Sequence, residues 1–248
     1  MKIVAIGGGE IGRPGTKIET LSIDRQIVSM AGKKHPKLLF LPTASNDSEG
    51  YVKVVEKYFG NKLGCRVEPL LLYGKKISGK ELRRRVLAAD IIYVGGGNTF
   101  RMLKLWRKVG LDKVLIEAAR KGKVLAGVSA GAICWFRFGN SDSRKMIDPK
   151  ADYIRVRGLS LYPIFLAPHF DAEKDRQGSL KRMLKGTRQI AIALDNCSAL
   201  CVNGNQYEVL ASKRTARAYR CYWKDGKYYR GRLQTRKPLP ILNLTRAT

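Results

Sequence analysis

Residues 123–132 read Lys123-Val124-Leu125-Ala126-Gly127-Val128-Ser129-Ala130-Gly131-Ala132, and this stretch decides the fold class. A continuous apolar run ends in Gly-x-Ser-x-Gly and passes directly into small residues that suit a helix. An unbroken apolar run fits a strand covered on both faces, as in a parallel sheet. Strand, sharp turn and helix in that order is the setting of a nucleophile elbow, where a serine stands in a strained turn with its Oγ exposed. Glycines on either side let strand and helix approach without clashing. The plainer alternative is a serine that only caps a short helix.

Working outward, short apolar runs predict strands at Lys2 to Ile6, Lys37 to Leu41, Arg66 to Leu72, Ile91 to Val94, Val124 to Val128 and Gln189 to Leu194. Helix-length amphipathic segments lie between them: Glu19 to Ala31, Glu49 to Phe59, a capping box at Ser78-Gly79-Lys80-Glu81 opening a helix to about Ala89, Thr99 to Val109, and Leu111 to Arg120. The alternation predicts an α/β fold of three layers, a mostly parallel central sheet with helices on both faces. Ligands in such sheets sit beyond the carboxyl ends of the strands. Three of the predicted strands end there in glycine loops, at Gly7-Gly8-Gly9, Gly95-Gly96-Gly97-Asn98 and Gly127 to Gly131.

The first loop, Gly7-Gly8-Gly9-Glu10-Ile11-Gly12, fits a dinucleotide fingerprint, but Arg13-Pro14-Gly15 follows and the next helical pattern starts near Glu19. A fingerprint opens a helix at once, so a backbone turn is expected here. The middle loop ends a strand and opens a helix. Its N–H groups, together with that of Ala130, suit an oxyanion hole; phosphate binding at the helix start is the rival, and no Walker lysine follows.

A nucleophilic serine needs a base, and the chain holds two histidines. His35 stands in the charged connection Gly32-Lys33-Lys34-His35-Pro36, where a solvated ring is expected. His169 ends the apolar run Phe165-Leu166-Ala167-Pro168-His169 and is the better base. Acids to orient it lie between serine and histidine at Asp142, Asp148 and Asp152, or after the histidine at Asp171 and Asp195.

Lys and Arg number 48 against 20 Asp and Glu, a formal charge of +28 over 248 residues. That balance raises nucleic acid or another polyanion as a partner. The excess is spread: residues 213–248 hold 11 basic residues and one acid, a net +10, which leaves +18 for residues 1–212. One α/β domain over 1–212 and a basic extension over 213–248, packed on the same domain, are expected. Within the extension, Ala216 to Trp223 and Lys227 to Leu233 flank Asp225-Gly226 and predict a β-hairpin. Its tyrosines, with Trp223, interleave with arginines and lysines in the manner of a single-strand stacking surface, although one face packed on the domain explains the aromatics equally and ranks first. No apolar run nears the ~20 residues of a membrane span. The opening MKIVAIGGG does not read as a secretion signal, and five scattered cysteines read as reduced thiols, so a cytoplasmic protein without metal or cofactor is expected.

In this order and spacing the motifs resemble the dipeptidase E and cyanophycinase group of serine peptidases, which share a fold with class I glutamine amidotransferases. The resemblance covers about residues 1–210. It rests on Leu41-Pro42-Thr43-Ala44-Ser45, Val94-Gly95-Gly96-Gly97-Asn98-Thr99, Gly127-Val128-Ser129-Ala130-Gly131-Ala132, Pro168-His169-Phe170 and Ala191-Ile192-Ala193-Leu194-Asp195. It implies Ser129 as nucleophile, His169 as general base, Gly96, Gly97 and Ala130 as the oxyanion hole, Asn98 and Arg176 as substrate contacts, and small peptides with N-terminal aspartate as substrates. Where similar proteins carry Asp-Glu after the histidine, this chain has Asp195-Asn196. Asp142 resembles the acid found between serine and histidine in other members, so it ranks first as the orienting residue, with Asn196 and Asp195 as rivals. The alternative function is a non-catalytic or weakly active member that binds RNA or another polyanion.

Overall fold

A computed structural model of the protein describes residues 1–234 and 237–245, the side chain of Lys174 excepted. Of the predicted basic extension, residues 235, 236 and 246–248 lie outside the described residues. In chain order the first half forms β1 (Lys2–Ile6), α1 (Leu21–Met30), β2 (Lys37–Leu41), α2 (Glu49–Val55), β3 (Arg66–Pro69), α3 (Gly79–Ala88), β4 (Ile91–Val94), α4 (Thr99–Val109), α5 (Leu111–Arg120), β5 (Val124–Val128) and α6 (Ala130–Ile133). The second half forms β6 (Phe136–Ser141), β7 (Ile154–Arg157), β8 (Tyr162–Ala167), α7 (Lys174–Leu184), β9 (Ala191–Leu194), β10 (Ser198–Asn203), β11 (Gln206–Ala211), β12 (Ala218–Lys224), β13 (Lys227–Arg232), β14 (Leu239–Pro240) and α8 (Leu242–Thr245).

Among the described residues, an eight-stranded sheet runs β14-β11-β10-β1-β5-β4-β2-β3. Strands β1, β5, β4, β2 and β3 are parallel, and β10 turns antiparallel against β1. Alternate residues of each strand feed opposite cores. Ile3 and Ala5 of β1 join Leu39, Ile92 and Leu125 beneath α3, α4 and α5, while Val4 and Ile6 join Leu38, Phe40 and Ile91 beneath α1 and α2. These side chains are essentially without solvent contact, each worth about 1.5–3 kcal/mol of burial. The expected three layers with helices on both faces are present.

A second, six-stranded sheet runs β13-β12-β9-β8-β6-β7. Its strands were harder to read because several are half-exposed and short, as in Ile154–Arg157, so they lack the continuous apolar run of a parallel core strand. The predicted hairpin is its edge: β12 pairs with β9, and the turn residues Asp225 (φ 48°) and Gly226 (φ 74°) are both left-handed, as a tight Asp-Gly turn requires. Tyr219, Cys221, Trp223 and Tyr228 pack against Leu180 and Leu184 of α7, and Trp223 Nε1 donates to Lys181 O at 3.0 Å. The opposite face carries Tyr222 and Tyr229, stacked with centroids 5.2 Å apart.

The predicted helix Glu49 to Phe59 is interrupted after Val55, where the chain widens into a π-helical stretch over Glu56–Lys62. That widening turns Tyr58 inward, and its hydroxyl donates to Asp24 Oδ2 at 2.9 Å. Thr20 Oγ1 donates to the same oxygen at 2.6 Å, while Asp24 Oδ1 is buried without a partner. Burial pushes the Asp24 carboxyl up to about 7 despite the two donors. Because the folded protein holds this proton and the unfolded chain does not, its stabilising effect is complete below about pH 4 and is lost as pH rises towards 7. Asp24→Asn should remove that slope. Its stability relative to wild type should rise by up to about 1.4 kcal/mol per pH unit across that window, measured by urea unfolding at several pH values.

Candidate active site

Adjacent strands β1, β5 and β4 end together, which brings the three predicted glycine loops side by side. In register, Ile6 stands beside Val128, and Gly127 beside Val94. Ser129 follows β5 with φ 57° and ψ −110°, a conformation that costs a non-glycine residue on the order of 1–3 kcal/mol. Its N–H donates to Ile6 O at 3.0 Å, and its carbonyl accepts from Ala132 and Ile133, which starts α6 immediately. The flanking glycines are sterically required. A Cβ on Gly131 would lie 2.1 Å from Val94 O, and one on Gly127 2.6 Å from Gly131 O. The strain is therefore imposed by close packing of β4, β5 and α6, and Ser129 stays half-buried at the open end.

The middle loop presses on the elbow from one side. A Cβ on Gly96 would be 3.5 Å from Ser129 Cβ, and Gly97 takes φ 134° at a place where a side chain would also meet Ala44 O at 2.2 Å. Gly96 N–H points to Tyr51 Oη, a long contact of 3.4 Å. Tyr51 was not singled out from sequence, where it is one aromatic on a predicted helix. Its ring occupies the space over Gly95, and burial holds its hydroxyl protonated, with the pKa pushed up to about 12. The N–H of Ala130 opens α6, where helical N–H groups lack intrahelical acceptors.

His169 and Asn196 come from the second sheet and its crossing to the first. His169 follows β8 with φ 50°, and its N–H donates to Gly7 O at 3.1 Å. Asn196 lies between β9 and β10, where the chain leaves one sheet for the other. His169 Nδ1 donates to Asn196 Oδ1 at 2.7 Å, which fixes the tautomer with Nε2 unprotonated. Asp171 Oδ1 accepts the Asn196 N–H at 2.8 Å and so fixes the residue's backbone. Gly8 forms the floor of this pair: a Cβ there would stand 1.9 Å from Asn196 Oδ1 and 2.5 Å from His169 Nδ1. The first glycine loop is thus a turn, as expected, but a turn shaped to admit a histidine and an amide. The glycine run was visible in sequence; its neighbour across the fold was not.

The expected orienting acids distribute differently from their ranking. Asn196 has the ring, and Asp142 stands instead in the half-buried segment between Ser141 and Ser143, with its carbonyl accepting from Met146 at 3.3 Å. Asp195 Oδ2 accepts from Arg217 N at 3.0 Å; burial first, and then the charge of Asp171, push its carboxyl up to about 6. Asp148 caps Lys150 N, and Asp152 lies 3.9 Å from Arg182. His35 bonds Gly64 O at the surface, as expected.

Two expected substrate contacts are turned inward. Asn98 Oδ1 caps α4 through Arg101 N and its Nδ2 donates to Ser143 O, both at 3.0 Å, so the side chain locks the middle loop to the 141–143 segment. Arg176 is 1% exposed. Its Nη1 donates to Asn140, its Nε and Nη2 donate to Glu173 Oε2 at 3.1 and 2.8 Å, and it lies 4.6 Å over the Tyr153 ring. Burial alone would raise the Glu173 carboxyl, but the Arg176 charge and the Tyr153 hydroxyl hold it below its usual value. The Arg176 guanidinium, expected at a substrate carboxylate, is thus bonded within the protein to Glu173 and Asn140.

The profile of peptidase family S51 matches residues 3–210. The chain is 35% identical over 221 residues to the uncharacterized peptidase YgaJ of Bacillus subtilis (strain 168), covering 88% of this chain and 91% of that one. It is 29% identical over 193 residues to peptidase E of Streptomyces coelicolor, 74% of each chain. The crystal structure of a peptidase from an acI-B1 Actinobacterium shares the fold with a TM-score of 0.73 over 96% of both chains at 18% identity. A putative peptidase E protein from Listeria monocytogenes EGD-e does so with a TM-score of 0.62 over 85% of this chain and 98% of that one, at 22% identity.

Gly8→Ala should displace the His169–Asn196 pair and lower kcat for peptide hydrolysis by roughly 10²-fold or more, with a much smaller effect on KM, read by steady-state kinetics. Arg176→Gln should act on stability instead: loss of the buried partner of Glu173 should cost about 3–5 kcal/mol in chemical unfolding, and KM of the folded fraction should stay within about twofold of wild type.

Proposed function

The chain belongs to peptidase family S51 and is a serine peptidase, and from that premise we propose that it hydrolyses small peptides, dipeptides with N-terminal aspartate among them, through Ser129, His169 and Asn196. The observation that carries this reading is that the strained Ser129 turn and His169 are anchored on adjacent residues of one chain end, through Ser129 N–H to Ile6 O at 3.0 Å and His169 N–H to Gly7 O at 3.1 Å, with the His169 ring held by Asn196 at 2.7 Å. His169 Nε2 takes the proton of Ser129 Oγ, and Oγ attacks the scissile carbonyl. The N–H groups of Gly96, Gly97 and Ala130 receive the oxyanion, and the protonated ring then delivers its proton to the leaving amine. Water repeats the cycle on the acyl-enzyme. Asn196 holds the tautomer but brings no charge to the imidazolium, so orientation is its contribution.

With Arg176 inside the protein, the selection of an acidic side chain falls to another cation. Arg13 has 59% of its side chain exposed and is held by Glu10; its charge acts on Tyr51, whose hydroxyl meets Gly96 N–H. We assign it to the substrate's carboxylate. The +28 charge favours approach of acidic peptides generally.

The test compares Asp-Leu with Ala-Leu. Wild type should cleave Asp-Leu faster, Ser129→Ala should lose activity by roughly 10³-fold or more, and Asn196→Ala by roughly 10²–10⁴-fold. Arg13→Gln should raise KM for Asp-Leu and leave Ala-Leu unchanged. Equal turnover by wild type and Ser129→Ala would sink the assignment of the nucleophile; equal use of both dipeptides by wild type would sink the acidic preference.

A further inference from the structure

The β12–β13 hairpin has two faces, and the fold uses mainly one of them. Tyr219, Trp223 and Tyr228 pack with Leu180 and Leu184 of α7. Residues paired across a hairpin share a face, as do residues two apart along a strand. The pairs Arg220–Gly231, Tyr222–Tyr229 and Lys224–Lys227 therefore stand together on the other face. Successive pairs there are spaced roughly 7 Å along the strands. This face enters the main core only at its base, through Ala218 and Leu233. Among the described residues, neither Tyr222 nor Tyr229 joins any of the three hydrophobic cores.

The two tyrosine rings stack with their planes 14° apart and centroids at 5.2 Å, and Arg220 Cζ lies 4.8 Å from the Tyr222 centroid. Tyr229 keeps 40% of its surface exposed. Beside it on the same face, Gly231 leaves open room, since a Cβ there would meet no atom within 4 Å. A glycine inside a strand gives up packing and often marks the close approach of a ligand. β13 is the edge strand of the second sheet, so the way to Tyr229 from its outer side carries no neighbouring strand among the described residues. Lys224 and Lys227 are exposed at the turn end of the same face. Residues 213–232 hold eight Lys and Arg against one acid, Asp225.

We propose that this face binds single-stranded nucleic acid, with a base stacked on Tyr229 above the space at Gly231 and phosphates on Lys224 and Lys227. An exposed aromatic ring accepts the π-face of any unpaired base, and cations beside it follow the backbone. A second copy of the chain is a poor occupant, because each copy carries +28 and the two would repel. An acidic peptide would meet the lysines and leave the rings unused.

Fluorescence anisotropy at low salt tests the proposal, with labelled oligouridylate and oligothymidylate, an abasic strand of the same length, and an aspartate-rich peptide as competitor. Both base-bearing strands should bind, and the abasic strand should bind at least about fivefold more weakly, the worth of one stacked base. Gly231→Ile, which fills the open space with a strand-forming side chain, and Tyr229→Thr should each weaken binding by about fivefold or more, whereas Tyr229→Phe should stay within about twofold of wild type. Lys224→Gln/Lys227→Gln should make the slope of log affinity against log salt shallower by about 1.4, and Lys108→Gln/Lys113→Gln on α4 and α5 should leave it unchanged. Ser129→Ala should bind as wild type does, so the result is independent of the peptidase assay. Absence of binding, or equal affinity for base-bearing and abasic strands, would overturn the proposal. So would displacement by the acidic peptide as readily as by unlabelled oligothymidylate, or undiminished binding by whichever of Gly231→Ile and Tyr229→Thr retains the wild-type circular dichroism.

Discussion

The carbonyl of Val94 lies so near Gly127 and Gly131 that no side chain can stand at either position, and the rest of the catalytic end depends on that approach. It brings β4, β5 and α6 together, and the turn between β5 and α6 then has to pass through the left-handed φ of Ser129. A strained serine persists only where surrounding packing over-determines it. Here the packing is the core of the main sheet, so the Ser129 turn is held by the same burial that holds the fold. The neighbouring loops obey a similar rule: Gly97 is closed against Ala44 and Gly8 against Asn196, so each loop follows the one path its neighbours leave open.

The electrostatics around His169 explain why a neutral amide is compatible with this site. The Asn196 N–H is bonded to the Asp171 carboxylate, and Asp195 beside it is already raised to about 6 by burial and by Asp171. A carboxylate at position 196 would be a third anion in the same small volume, and like charges there disfavour ionisation. An amide still accepts the Nδ1–H bond and still fixes the tautomer. In the proposed mechanism orientation is retained, and the stabilisation of imidazolium by a full charge is given up.

The excess positive charge divides by location. On the hairpin, Trp223 and Tyr228 are packed under α7, with Lys181 lying over both rings, so part of the aromatic and basic pattern belongs to the packing of the second sheet. Around the start of α1, in contrast, arginines surround an open space with a helix terminus at its edge. Cations thus sit in different surroundings, over an aromatic face in one place and beside a cavity in the other. Arg176 shows the same principle within the core: saturated by Glu173 and Asn140, it is a structural cation.

Much of the main sheet was legible in the sequence because continuous apolar runs such as Ile91–Val94 and Val124–Val128 carry their own signal, and the Gly-x-Ser-x-Gly turn marks its position locally. In the second sheet β9 and the β12–β13 hairpin were legible too, whereas β6, β7 and β8 were not named as strands; β7, Ile154–Arg157, is only four residues long and half-exposed. Within the site, Ser129 and His169 were identifiable by residue type and context. Their partners were not: choosing between Asp142 and Asn196, or seeing that Arg176 and Asn98 face inward, depends on which loops meet across a crossing of two sheets. Residue type, local turn chemistry and hydrophobic period were determined by the sequence alone. The pairing of His169 with Asn196 over Gly8 was decided by tertiary structure, because it joins positions 27 residues apart, and the glycine beneath them 161 residues before His169, through contacts that no local pattern encodes.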